Sequence, residues 1–297
     1  MEEFRSGFVA LVGRPNVGKS TLMNRLVGEK VAIMSDKPQT TRNRIAGVLT
    51  APPVQVIFLD TPGLHKPKHR LGQVMVEIAE ATLGEVDLIL HVVDAAVPPG
   101  SGEEYVMGRL AAVNTPAWLV MNKIDATNEA TVTGSIGFFQ ARHNYQAVFR
   151  ISALTGHGCG ELRQALVEQM PPGPQYYPDG MITDQPERMV MAELIREKVL
   201  QLTREEVPHS VAIQVDEVVP RPNDLVYVRA VIYVERDSQK KIIIGRDARV
   251  IKEIGQLARQ DIQTLLGSQI YLDLWVKVRR DWRNDPESLR TLGYRQD

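Results

Sequence analysis

Gly13-Arg14-Pro15-Asn16-Val17-Gly18-Lys19-Ser20 fits the pattern G-x-x-x-x-G-K-[ST]. Before it runs Phe8-Val9-Ala10-Leu11-Val12, short and apolar, as a buried strand should be. After it runs Thr21-Leu22-Met23-Asn24-Arg25-Leu26-Val27, with apolar residues at helical spacing. A strand, a glycine-bearing turn and a helix N-terminus in that order make a phosphate loop, because successive backbone N–H groups and the helix dipole point at one anion. Lys19 has the reach to meet the outer phosphates of a nucleotide, and the Ser20 hydroxyl is placed to ligate Mg²⁺.

The rest of the first half repeats the same architecture. Short apolar runs at 8–12, 45–50, 54–60, 87–94, 116–121 and 147–151 alternate with helical patterns at 19–27, 71–83, 102–112, 127–141 and 159–170. That alternation predicts an α/β domain built on a mostly parallel sheet with helices on both faces. Ligands of such sheets bind beyond the carboxyl ends of the strands. Polar motifs fall at those ends. The run 54–60 closes on Asp60, a carboxylate suited to Mg²⁺, followed by Thr61-Pro62-Gly63, in which Gly63 can offer a backbone N–H to a phosphate. The run 116–121 closes on Asn122-Lys123-Ile124-Asp125. The carboxylate of Asp125 can accept from both the N1–H and the N2–H₂ of guanine, a donor pair that adenine lacks. Each such charge-assisted bond is worth about 1.5–3 kcal/mol. The last strand ends in Ser152-Ala153-Leu154, whose backbone can meet the guanine O6.

These four motifs in this order resemble the GTP-binding proteins of the Ras-like superfamily over residues 7–170. The resemblance implies that GTP or GDP contacts Gly13, Asn16, Val17, Gly18, Lys19, Ser20 and Thr21, then Asn122, Lys123 and Asp125, then Ser152, Ala153 and Leu154. It also implies a threonine ligand for Mg²⁺ beside Ser20 and Asp60. Residues 35–44 supply Thr40 and Thr41, and the resemblance to bacterial GTPases with a T-T-R motif favours Thr41. Lys19, Asn16, Thr41 and Gly63 are the residues on which hydrolysis is expected to depend. Leu64 stands where signalling GTPases carry a water-orienting glutamine, so the transition state must be stabilised otherwise. In related bacterial GTPases an asparagine at the Asn16 position marks the use of K⁺. His65 or His69 could be offered as a water-activating base, but histidines in an exposed loop are expected to be solvated or RNA-facing, and His91, inside an apolar run, to be a satisfied core residue.

Composition sets outer limits. The chain has 297 residues, 43% of them hydrophobic and 24% charged, with a net charge of −1. That length suggests about two domains, and the charge gives no global signal for nucleic acid. The lone cysteine, Cys159, excludes an internal disulfide and fits a reducing cytosol. No apolar run reaches the roughly 18 residues of a membrane span, and the acidic start Met1-Glu2-Glu3-Phe4-Arg5 is not expected to be a signal peptide. Residues 170–180 hold four prolines and two glycines, a density that no helix or strand survives. The expected layout is therefore a nucleotide domain over 1–172, a semi-stiff linker over 173–184 and a second domain with a C-terminal tail over 185–297.

The second half predicts a helix over 186–203, a hairpin of 209–219 and 225–236 turned at Pro222-Asn223-Asp224, a helical stretch reaching about Leu266, and a strand over 269–279. From 180 to 297 there are 19 basic and 19 acidic residues, yet 240–259 holds six Lys or Arg against two acidic residues. Charge gathered in this way is the footprint expected for a phosphate backbone. The pattern Ile243-Ile244-Gly245-x-x-Ala248-x-x-Ile251 resembles KH domains, whose G-x-x-G loop clamps about four nucleotides. The element order is similar to the α+β type II variant. Ala248 replaces the second glycine and limits positive φ, and Asp247 would repel a phosphate. The resemblance places RNA contacts on Lys240, Lys241, Gly245, Arg246, Ala248, Arg249 and Lys252.

A Ras-like domain followed by a type II KH domain is similar to the Era family of bacterial ribosome-assembly GTPases. So are Lys37-Pro38-Gln39-Thr40-Thr41-Arg42, Glu206-Val207-Pro208-His209-Ser210-Val211 and Leu274-Trp275-Val276-Lys277-Val278-Arg279. That resemblance implies a monomeric cytoplasmic GTPase that binds the 3′ end of 16S rRNA during maturation of the small ribosomal subunit, with some contact to the inner membrane surface. The alternatives are a GTPase of tRNA modification, which would need a catalytic cysteine or a folate site, and an RNA-binding scaffold with inert nucleotide.

Overall fold

The computed structural model describes residues 3–294. The chain divides into two units, with the boundary between Asp184 and Gln185, and the short stretches 35–38 and 69–71 group with the second.

The first unit is built on a six-stranded sheet: β1 (Arg5–Val12), β2 (Ile45–Ala51), β3 (Val54–Asp60), β4 (Leu88–Asp94), β5 (Ala117–Asn122) and β6 (Ala147–Arg150). The strands lie in the order β2-β3-β1-β4-β5-β6. All neighbours run parallel except β2, which pairs antiparallel with β3. The helices are α1 (Lys19–Val27), α2 (Arg70–Leu83), α3 (Ser101–Leu110), α4 (Glu129–Gln140) and α5 (Cys159–Gln169). Successive strand residues point to opposite faces, and β1 shows the division. Val9 and Leu11 pack with Leu22 and Leu26 of α1 and Leu162 and Leu166 of α5. Ala10 and Val12 pack with Val76 of α2, Val106 of α3 and Ile136 of α4. A sheet covered on both faces needs apolar residues at every position, which is why its strands read as continuous apolar runs.

The segment read as a linker is not free. Residues 173–184 lie along the first unit. Gly173 N donates to Phe4 O at 3.0 Å, Val48 N to Ile182 O at 2.9 Å, and Thr183 Oγ1 to Ala46 O at 2.7 Å. The clamp is Gln55, which is fully buried on β3. Its Oε1 accepts from Tyr176 N at 2.9 Å and Tyr177 N at 3.0 Å, while its Nε2 donates to Tyr177 O at 2.9 Å. Composition foresaw the lack of helix and strand here, but not the partner that satisfies the backbone.

The second unit runs α6 (Glu187–Leu202), β7 (Ala212–Arg221), β8 (Leu225–Val234), α7 (Asp237–Ile244), α8 (Arg249–Leu266), β9 (Gln269–Val278) and α9 (Pro286–Thr291). The sheet order is β7-β8-β9, with β7 antiparallel and β9 parallel to β8. The hairpin turns through Asn223 and Asp224, both with positive φ, as the tight turn chemistry of those residues allows. One sheet face packs on α6 and α8 through Ile195, Val199, Ile232, Ile254, Ala258 and Ile262. Helix α9 was not anticipated. Its signal is Asp285-Pro286, a cap whose Oδ2 accepts from Ser288 N at 2.9 Å, followed by proline at the first helical position.

The Gln55 clamp makes a prediction. Gln55→Leu leaves the Tyr176 and Tyr177 amides without their acceptor, at a cost of about 1–3 kcal/mol per buried group. Hydrogen exchange at those two amides is expected to accelerate by about 10-fold or more, with the helices of the first unit unaffected. Unchanged protection would show that the strap is held by something else.

Candidate functional site

The site lies where the sheet of the first unit ends. Gly18 caps α1 in the left-handed region with φ 98°, and Asn16 has φ 65°. The loop is closed against its neighbours. A Cβ on Gly63 would sit 2.6 Å from Pro15 N, so only glycine lets the segment after Asp60 approach the phosphate loop this closely. The Leu64 N–H donates to Gly13 O at 3.0 Å, and the Leu64 side chain is buried in the core between β1 and α2. Leu64 therefore fixes the backbone and has no side-chain role at the loop mouth.

Three oxygens from three segments converge. Asp60 Oδ2 accepts from Ser20 Oγ at 2.6 Å and from Thr41 Oγ1 at 3.0 Å, and the two hydroxyls are 2.9 Å apart. Asp60 is fully buried, and its Oδ1 has no hydrogen-bond partner. Burial raises its pKa, opposed by Lys19 and by the hydroxyls of Ser20 and Thr41. Lys19, also buried, donates to Arg14 O at 3.0 Å and Gly13 O at 3.3 Å. Burial lowers its pKa to about 8, opposed by Asp60 and Glu103. An all-oxygen set with an orphaned buried carboxylate oxygen suits a hard divalent cation such as Mg²⁺. The residues that would hold it are Ser20 and Thr41, with Asp60 beside them.

Asn122 joins the loops that follow the strands. Its Nδ2 donates to Val17 O at 2.8 Å, and its Oδ1 accepts from Ala153 N at 2.9 Å. Lys123 donates to Asn16 O at 2.7 Å and to Asp94 Oδ2 at 2.6 Å. Arg25 of α1 holds the third loop, donating to Ala153 O at 3.2 Å and Leu154 O at 2.6 Å. Ser152 is buried, Leu154 is exposed, and Asp125 stands exposed in a short 3-10 turn, free to meet a base. The structure thus groups residues 13–21, Thr41, Asp60, Gly63, 122–125 and 152–154. Sequence reasoning missed Asp94 and Arg25. Asp94 ends an apolar strand as Asp60 does, which was the available signal. Arg25 had none.

Two further networks surround the site. His65 Nδ1 lies 2.7 Å from Gly63 O, which can only accept, so this nitrogen carries the proton. Its Nε2 then accepts from Gln39 Nε2 at 3.2 Å, linking the segments after α1 and after β3. His91, expected as a core residue, is fully buried and hydrogen-bonds Tyr145 OH at 2.7 Å. Cys159 is buried beside the loop 152–154, its Sγ 3.6 Å from Ser152 O, and burial raises its pKa. That is the environment of an inert thiol, so the chain lacks the catalytic cysteine that the tRNA-modification alternative would need.

The basic group of the second unit is a separate site. Gly245, between α7 and α8, has φ 72° and ψ 172°, a conformation essentially confined to glycine, and a Cβ there would meet Val250 Cγ2 at 2.6 Å. Asp247 and Ala248 follow with φ 53° and 58°. Ala248 therefore adopts the left-handed geometry of the glycine it replaces, at a cost of about 1–2 kcal/mol. Lys241, Arg246, Arg249 and Lys252 are exposed, Lys240 and Ala248 partly so. Lys252 Nζ donates to Asp247 O at 3.4 Å.

Comparison with known proteins identifies the kind of domain in each unit. A family model described as 50S ribosome-binding GTPase matches residues 8–123, and a KH domain model matches 206–283. GTPase Era of Heliobacterium modesticaldum is 54% identical over 294 residues, 99% of this chain and 98% of that protein. GTPase Era of Carboxydothermus hydrogenoformans is 54% identical over 292 residues, 98% of each. A crystal structure of Era with MgGDPNP and nucleotides 1506–1542 of 16S ribosomal RNA matches with TM-score 0.95 and 42% identity, covering 99% of this chain and 100% of that one. A variant of Aquifex aeolicus Era bound to GDP and AlF4⁻ matches with TM-score 0.94, the same identity and the same coverage.

Lys19 supplies a pH test. A phosphate beside it favours the ammonium, so nucleotide binding raises a pKa that burial has lowered to about 8. Affinity for GDP is expected to be full below that value and to fall as pH rises through it. Calorimetry at a pH just above 8, in two buffers of different ionisation enthalpy, should detect proton uptake on binding. No uptake would contradict the assigned environment of Lys19.

Proposed function

The chain belongs to the Era family of GTPases, and from that premise we propose that it binds GTP with Mg²⁺ at residues 13–21, hydrolyses it, and binds 16S rRNA through residues 240–252 during small-subunit assembly. The convergence of Ser20, Thr41 and Asp60 carries the reading. The phosphate loop presents backbone N–H groups, and Lys19 exchanges its bonds to Gly13 and Arg14 carbonyls for phosphate oxygens. The Gly63 N–H is offered to the γ-phosphate. Mg²⁺ bound at Ser20 and Thr41 would neutralise charge on the β- and γ-phosphate oxygens. Asp125 selects guanine, and Asn122 keeps the base loop in register with the phosphate loop.

Because Thr41 reaches the site from residues 35–44, a γ-phosphate orders that segment, and hydrolysis releases it. Leu64 cannot orient water, so part of the transition-state charge stabilisation falls to a K⁺ beside Asn16. The monomeric state, the cytoplasmic location and the membrane contact implied by the family resemblance belong to the same proposal.

Asp125→Asn is expected to exchange GTP for XTP as the preferred substrate, by about 100-fold or more for two lost charge-assisted bonds. Retained GTP selectivity would remove the guanine assignment. Arg246→Ala with Arg249→Ala should weaken RNA binding and lower the slope of log affinity against log salt by about 1.4, near 0.7 per lost contact. An unchanged slope would place the RNA elsewhere. Hydrolysis should run faster in KCl than in NaCl at equal ionic strength, and equal rates would eliminate the role given to Asn16.

A further inference from the structure

The sheet of the second unit has one face in the core of that unit, and its other face carries exposed aromatic residues. Val228, Ala230 and Ile232 of β8 and Ile270 and Val276 of β9 enter the core. By strand alternation Tyr227, Tyr271 and Trp275 lie on the other side. Register sets Tyr227 opposite Tyr271. Their rings stack at 5.9 Å with 14° between planes. Tyr271 is 60% exposed and Trp275 55%.

A cross-strand aromatic pair stabilises a sheet by about 0.2–1 kcal/mol, so stacking alone is ordinary sheet architecture. The polar edges of the rings say more. Asp273 Oδ2 accepts from Tyr227 OH at 2.9 Å and from Trp275 Nε1 at 3.0 Å. One carboxylate thus holds two ring edges, while Tyr271 and Trp275 keep most of their ring surface in solvent. The guanidinium of Arg221 sits 5.5 Å from the centre of the Tyr227 ring. Oriented rings beside a cation are the parts of a base-stacking surface, on which each base is worth about 1–3 kcal/mol.

The position of this face names the occupant. β9 is an edge strand, and α7 and α8, which flank Gly245–Ala248, pack on it. The basic loop and the aromatic face are thus joined through β9, the strand that carries Tyr271 and Trp275 and receives α7 and α8. A KH loop holds about four nucleotides, whereas the RNA in the crystallised Era complex runs from nucleotide 1506 to 1542. A strand held at residues 245–248 has length to spare. We propose that Tyr271 and Trp275, braced by Tyr227, form a second RNA contact, on which unpaired bases flanking the segment at the basic loop stack. The proposal rests on the RNA-binding reading and extends it to a face of the sheet that the KH loop does not use.

The test uses the full chain and RNAs derived from nucleotides 1506–1542, shortened stepwise from either end to about eight nucleotides. Tyr271→Thr and Trp275→Thr keep strand propensity and remove the rings, while Trp275→Phe keeps a stacking face. Each threonine variant is expected to lose about 5- to 100-fold in affinity for the long RNA and to bind the shortest RNA that still fills the basic loop as the unaltered protein does. Trp275→Phe should retain most of the affinity. Trp118 and Trp282 are buried, so quenching of tryptophan emission by the long RNA should come from Trp275 and vanish in Trp275→Phe. Unchanged affinities without quenching, in a protein whose Arg246→Ala and Arg249→Ala variants still lose RNA, would overturn the platform and leave the basic loop in place. Equal losses on long and short RNAs would also overturn it, because the effect would then run through the fold. Absence of RNA binding by the unaltered protein would overturn both readings.

Discussion

Asp60 is a carboxylate with no exposed surface, and the first unit is arranged around it. Moving an isolated carboxylate out of water costs several kcal/mol even after relaxation. Two hydroxyls and a nearby ammonium offset that cost, yet burial still pushes Asp60 up and Lys19 down. Both groups are held away from their ordinary titration ranges by the same desolvation. A divalent cation and a triphosphate supply what each lacks. The sheet delivers these groups because Asp60 ends β3 and Lys19 begins α1, while Thr41 arrives from the connection between α1 and β2. A ligand that bonds Thr41 therefore acts on a segment with no regular structure of its own.

Most of this was legible in the sequence, for a physical reason. The phosphate loop, the Asp60 turn and the Asn122–Asp125 turn are each contiguous, and each needs particular residues within a few positions of one another. The apolar runs between them carry their period locally, so strands and helices fall within two or three residues of where the pattern puts them. What stayed hidden were bonds from a side chain to a distant part of the chain. Gln55 and Tyr177 are 122 positions apart. A polar residue inside an apolar strand announces a partner without naming it. Gln39 with His65 and Arg25 with Leu154 are of the same kind. Proline and glycine density over 170–180 correctly excluded helix and strand there, but says nothing of the surface on which an extended segment rests.

Ala248 shows the opposite case, where a local rule was right about cost and silent about outcome. Alanine disfavours positive φ, yet the loop keeps φ 58° there, and Asp247 beside it has φ 53°. Two strained residues in succession persist only where the surroundings over-determine them. Gly245, whose Cβ would strike Val250, and the start of α8 at Arg249 provide that constraint. The geometry of the loop thus survives the loss of its second glycine, with Arg246 exposed within it and Arg249 exposed directly after it.

The central claim is that Ser20, Thr41 and Asp60 form one cation site coupled to the γ-phosphate. It is tested most directly by the Mg²⁺ dependence of single-turnover GTP hydrolysis in Thr41→Ala and Thr40→Ala. Loss of the Thr41 hydroxyl should raise the Mg²⁺ concentration for half-maximal rate by about 10-fold or more, from a charge-assisted contact of about 1.5–3 kcal/mol, while Thr40→Ala leaves it unchanged. A shift in Thr40→Ala with none in Thr41→Ala would contradict the account.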